Sequence, residues 1–290
     1  MAEILQKDGT WAFDGDALRL TPGRDKGVSL LRGTLGELVV PLEALAGISF
    51  ERGRRAGRLR LRLRLRDGAD PLLLATGGRL AEPHDPYRLV VEPDRYGVAE
   101  YLVDEVRTAL TLDRVPVAPV DAYLLPGPAV PLSVAAGDGK VSFDGERVQL
   151  EWNWKAEEAK TSVGTRTLAL ADIVGVEWWP SLRLQNGFLR FTVRGAPAKV
   201  PPKYDPNAVE LWGFRKDPLM ALVAAAVQAR LPHPAAAVRA EPAPLVAPAA
   251  DDGDHDVLLR RLRELGDLHR SGVLTDEEFT RAKRAVLDRM

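Results

Sequence analysis

The chain has 290 residues, enough for two domains with cores of their own. Its 40 Lys and Arg offset 41 Asp and Glu to a net charge of −1, which argues against a general nucleic-acid binder, since those carry a basic excess. Cysteine is absent, which removes disulfides, thiolate nucleophiles and cysteine metal sites.

Residues Met1–Gly9 lack the charged and apolar regions of a signal peptide, and no apolar run reaches the roughly 18 residues of a membrane span, so a soluble cytoplasmic protein is expected. The first recognisable element is Phe13-Asp14-Gly15, an Asp-Gly turn between two strands; the pair should supply the positive φ angles of a tight hairpin. Short apolar runs at Val28–Arg32, Glu37–Leu42 and Gly47–Glu51 read as further strands. Leu59, Leu61, Leu63 and Leu65 then alternate with Arg58, Arg60, Arg62, Arg64 and Arg66, the period of an antiparallel strand with one face in the core. A Gly/Pro-rich loop leads to a strand at Tyr87–Glu92. Val98, Tyr101, Leu102, Val106, Ala109 and Leu110 follow at helical spacing. Strands in succession closed by one helix, with no helix between strands, exclude a parallel doubly wound sheet.

The plan repeats. Phe143-Asp144-Gly145 returns, Leu42, Leu45, Gly47 and Ile48 correspond to Leu170, Ile173, Gly175 and Val176, and Gly57, Leu59, Leu61 and Leu63 to Gly187, Leu189, Phe191 and Val193. His84-Asp85-Pro86 matches Tyr204-Asp205-Pro206, and an amphipathic helix from Leu219 to Leu231 closes the second copy, with Asp217 as its N-cap and Pro218 first in the helix. The expected fold is mainly β (α+β): two tandem antiparallel sheets or partial barrels, each closed by a C-terminal helix. The limits are 8–113 for copy one, 114–136 for an extended linker and 137–232 for copy two.

Residues 233–255, rich in Ala, Pro and Asp, read as a flexible tether. Leu258, Leu262 and Leu265 begin a helical stripe that stops at Gly272, and Thr275 with Glu278 forms a capping box for a second helix. Leu274 and Phe279 make the hydrophobic staple, and Val286 continues the face. Residues 256–290 are thus a two-helix hairpin with too small a core to stand alone, which should dock on its own domains, on a second copy or on another protein.

Ser271-Gly272-Val273-Leu274-Thr275-Asp276-Glu277-Glu278-Phe279 resembles the SHOCT (short C-terminal) domain of bacterial proteins, which implies oligomerisation or protein contacts. Phe143-Asp144-Gly145, Ile173 to Trp178 and Gly187–Phe191 resemble the bacterial domain of unknown function 4429, often found in tandem ahead of a SHOCT domain. That resemblance implies a pleckstrin-homology-like fold for both copies and brings no activity with it.

The Arg58, Arg60, Arg62 and Arg64 face fits an anionic lipid or other polyanion; a solvated outer face balanced by nearby acids is the plainer reading. Of Trp178 and Trp179, neighbours on a strand, one must face outward. His84, His233, His255 and His269 show no ligand spacing, so no metal or cofactor is expected. Pairs such as Glu157-Glu158, Asp251-Asp252 and Glu277-Glu278 lack a partner base, and Gly137-Asp138-Gly139 is a turn, not a phosphate loop. The expectation is a non-enzymatic binding or scaffold protein, with membrane binding as the alternative and a ligand-sensing or hydrolytic pocket as a third reading.

Overall fold

A computed structural model of the chain describes residues 1–52, 59–182, 185–195, 200–236 and 279–280. The chain divides into two units, Met1–Ala240 and Glu241–Met290. In the second, Phe279 and Thr280 are described, and both are helical. Leu258, Leu262, Leu265, Leu274 and Val286, like Arg58, lie outside the described residues.

The first unit is mainly β. In copy one, β1 (Ala2–Gln6), β2 (Gly9–Phe13) and β3 (Ala17–Pro22) are followed by the short helix α1 (Leu30–Leu35) and β4 (Leu38–Pro41). These four strands form one antiparallel sheet in chain order. A second sheet joins β5 (Leu45–Arg52), β6 (Leu59–Leu65) and β7 (Arg88–Val91), with α2 (Pro71–Thr76) between β6 and β7. Helix α3 (Tyr96–Leu112) closes the copy. Copy two repeats this with β8 (Leu132–Ala136), β9 (Gly139–Phe143), β10 (Arg147–Trp152), α4 (Glu158–Thr161) and β11 (Arg166–Ala169) in one sheet region. Strands β12 (Ile173–Trp179), β13 (Gly187–Val193) and β14 (Ala208–Leu211) form the other sheet, closed by α5 (Met220–Gln228). Among the described residues no helix is long and apolar enough to cross a membrane.

The Asp-Gly turns differ from the expectation in one respect. Only the glycines have positive φ, 115° at Gly15 and 111° at Gly145. The aspartates act as acceptors instead: Asp14 Oδ1 takes the N–H of Ala17 and Asp16, and Asp144 Oδ1 those of Arg147 and Glu146. These backbone donors hold both carboxyls below the usual aspartate range.

Helices do occur between strands. Val28–Arg32, expected as a strand, carries the start of α1, because the Ser29 hydroxyl accepts the N–H of Leu31 and caps a turn. Helix α2 sits in the expected Gly/Pro loop. Asp70 caps it through the N–H groups of Leu72 and Leu73, Pro71 opens it, and Gly77 ends it in the left-handed conformation at φ 54°. The Tyr87 hydroxyl donates to the same Asp70 at 2.8 Å, and burial pushes the Asp70 carboxyl up. All strand pairs remain antiparallel, since these helices are single turns or little more.

The strand correspondence also shifts by two residues. Leu45 pairs with Leu65 and Ile173 with Val193, each next to a bulge at Gly47 or Gly175. Leu59, Leu61, Leu63 and Leu65 therefore match Gly187, Leu189, Phe191 and Val193. An alternating strand looks alike after a shift of two, so sequence alone could not fix the phase.

Helix α5 is not amphipathic: every residue from Met220 to Gln228 is buried. One side packs on β8, β9, β12 and β13, and the other on α2 of copy one. Leu31, Leu72 and Ala75 thereby join the core of copy two. Asp217 does not cap this helix. Its Oδ2 accepts the N–H groups of Trp212, Gly213 and Phe214 in the preceding loop.

The segment before β8 is irregular but pinned. Leu124 and Leu125 donate to the Ala69 carbonyl, Leu125 is buried, and the Tyr123 hydroxyl accepts from Gln228 of α5 at 2.7 Å. At Gly127 a Cβ would stand 2.3 Å from that of Ala229, so only glycine passes there. His233, where the tether was expected to begin, is buried against Tyr123 and the Gly68 carbonyl.

Candidate functional site

The arginine row is not one uniform face. Leu61, Leu63 and Leu65 point into the core, so the intervening arginines face out. Arg60 is paired with Glu82, which Arg88 also reaches, and Arg66 donates to the carbonyls of Ala118 and Glu43. Arg62 and Arg64 are exposed. The ends of the described row are thus tied into the fold, which sequence alternation cannot reveal.

Trp178 and Trp179 separate as the strand period requires. Trp178 is 2% exposed and belongs to the core of copy two; Trp179 is 42% exposed, with the Arg79 guanidinium 3.7 Å from its ring centroid. That contact joins the two copies. Trp154 stands 88% exposed, Trp212 and Phe214 meet edge to face, and the Lys155 ammonium lies 5.3, 5.1 and 5.5 Å from the three ring centroids.

A matched pair of clamps went unnoticed in the sequence. In copy one Asp8, in the β1–β2 turn, accepts from Arg32 of α1 at 2.7 Å and from the N–H of Val90 in β7 at 3.5 Å. In copy two Asp138, in the β8–β9 turn, accepts from Lys160 of α4 at 2.5 Å and from the N–H of Glu210 in β14 at 2.8 Å. Each clamp ties the first hairpin, the helix after the third strand and the last strand. The second is drier: side-chain exposure is 6% and 27% for Arg32 and Asp8, but 0% and 2% for Lys160 and Asp138. Burial pushes the Asp138 carboxyl up despite its lysine, because desolvation outweighs the attraction. The only cue was Asp-Gly five residues before each Phe-Asp-Gly; the cationic partners differ in type and lie more than twenty residues on.

A concavity with a volume near 770 Å³ lies where the copies meet. Copy one contributes the loop before α1 and the segment after α2; copy two contributes the end of β12 and the β14–α5 loop. Val28, Leu30, Trp178, Leu211 and Phe214 make its apolar surface, and Lys26, Arg79 and Arg215 its charged one. Ser29 Oγ lies 2.7 Å from Nδ1 of His84 on the same wall. Burial lowers the His84 pKa, which keeps the ring neutral near pH 7. No carboxylate orients His84 among the described residues, so the pair lacks the third member of a hydrolytic triad. Among the described residues no cluster of His, Asp and Glu could hold a metal ion.

No curated protein matches the chain. Residues 260–287 match the family model described as the short C-terminal domain, SHOCT. Residues 11–107 and 141–228, the two structural copies, each match the model described as domain of unknown function (DUF4429). Those two matches span well over half of the 290 residues, and the chain belongs to the DUF4429 family, in tandem, with a SHOCT domain behind it.

Proposed function

We propose that the protein is a non-enzymatic binding or scaffold protein in which the tandem domains form a fixed body and the C-terminal hairpin assembles or recruits. The observation that carries this reading is the SHOCT match at 260–287, on a stretch whose apolar stripe is too small to be stable alone. Leu258, Leu262, Leu265, Leu274, Phe279 and Val286 supply the contact face, on itself or on another protein. The limits expected from the sequence, 8–113 and 137–232, leave out β1 and β8, which pair in the two sheets, so each domain begins at its first strand; 233–255 as a connection and 256–290 as the hairpin stay as proposed. Neither matched family is an enzyme family, which supports the non-catalytic reading. Light scattering on the full chain and on a chain ending at Ala250 tests it: the full chain should be the larger assembly. A monomer in both cases removes self-assembly.

The exposure of Arg62 and Arg64 favours a second reading, peripheral binding to anionic lipid. Sedimentation with phosphatidylserine vesicles should then fall with salt and with charge reversal at both positions. No sedimentation at low salt ends this reading.

A further inference from the structure

The junction cavity is explained neither by the family match nor by a docking hairpin. It exists only because two copies are fused, since its walls come from both. A volume near 770 Å³ lies within the range of small-molecule sites. Its charge is one-sided: Lys26, Arg79 and Arg215 line it, and none has a carboxylate partner among the described residues. The lining carboxylate, Asp217, turns Oδ2 away to three backbone N–H groups of its own loop.

Two further observations concern the interior. Trp178 is 2% exposed, yet its Nε1 donor has no acceptor, and Asp217 Oδ1 is likewise unpartnered. Both atoms lack accessible surface, so an occupant of the cavity would meet the cations and apolar side chains of the lining and not these two. The Ser29–His84 pair is internally satisfied: the hydroxyl accepts from the Leu31 N–H and bonds Nδ1 of a neutral ring. It offers a polar, uncharged wall and not a nucleophile.

We propose that this cavity binds a small anionic amphiphile, an acyl or aryl carboxylate. Its apolar body packs on Trp178, Leu211 and Phe214, and its head answers Lys26, Arg79 and Arg215. The site is independent of the scaffold reading, and either can fail alone.

Titration calorimetry of the full chain with sodium decanoate below its micelle concentration provides the test, with decanol as the uncharged analogue. Saturable binding at one site is expected, with decanol at least about tenfold weaker. Lys26→Glu with Arg215→Glu should weaken decanoate by at least about tenfold, and the paired Gln variant by a smaller factor. Circular dichroism checks that each variant is folded; if the Glu pair is not, the Gln pair carries the test. The proposal is overturned by absence of saturable binding, by decanol binding as tightly as decanoate, or by folded charge variants that bind like the parent.

Discussion

Helices α3 and α5 close their copies at the same point of the chain, yet they meet different surroundings. Helix α3 runs from Tyr96 to Leu112 with Ala99, Leu102, Val103 and Val106 buried and Tyr101 and Leu112 exposed. Helix α5 is nine residues long and has no exposed face, because α2 of the other copy covers it. Duplication therefore gave two domains of which one lends a helix to the other. The clamps show the same asymmetry. Lys7 precedes Asp8, but Gly137 precedes Asp138, and a Cβ there would collide with the Glu210 carbonyl. That glycine lets the second turn sit down on β14 and seal its ion pair from water.

The sharpest way to break this comparison is to remove the two cations. Lys160→Met should cost about 3–5 kcal/mol, since Asp138 is left buried without its cation, whereas Arg32→Met should cost about 1–3 because water reaches Asp8. Equal losses in urea unfolding would show that the burial difference has no energetic weight. Next, Leu72→Ala should destabilise by about 2–4 kcal/mol, while Tyr101→Ala, 54% exposed on α3, should stay within about 0.5. Thermal unfolding should also stay a single transition in the parent, with Leu72→Ala lowering it as a whole. Gly127→Ala is expected to cost about 1–3 kcal/mol, because its methyl lands on Ala229. A neutral result there would mean that the segment is not held as described.

The smallest effect concerns Asp144. Its carboxyl is held below the usual aspartate value by backbone N–H groups, so its folded-state pKa is depressed. The stability it adds is full above the unfolded value of 3.8 and declines as pH falls through the lower folded value. The parent and Asp144→Ala should therefore differ at pH 7 and converge below pH 3.8 in denaturant titrations. A gap that persists at the acid end would assign the effect to packing instead.

Much of the fold could be read from local patterns, and the exceptions have physical causes. The alternation of Leu61, Leu63 and Leu65 and the recurrence of Phe-Asp-Gly expose strand period and repeat, both of which are short-range. Helix α2 was also written locally, as Asp70-Pro71 and Gly77-Gly78, but six residues give too few turns for a periodic signal. Helix α5 carried part of its cue, since Met220–Val227 is apolar all round and such a helix is buried on every side; what its sequence does not name is the helix of the other copy that covers it. The clamps, and above all the junction cavity, join segments that are far apart in sequence, such as Ser29 and His84 with Trp178 and Asp217. Such sites depend on the tertiary arrangement and leave no spacing to read. The hairpin residues are the reverse case: a capping box and a staple are legible in their sequence, but a surface for them to dock on would not be encoded beside them.

The segment that threads past Gly127 has a thermodynamic consequence. The contact between α2 and α5 has the character of a dimer interface, apolar and buried, but its halves belong to one chain. A short connection pinned at Tyr123 and Leu125 holds those halves at an effective concentration on the order of millimolar or higher. An interface too weak to survive dilution as two separate proteins then persists at any protein concentration.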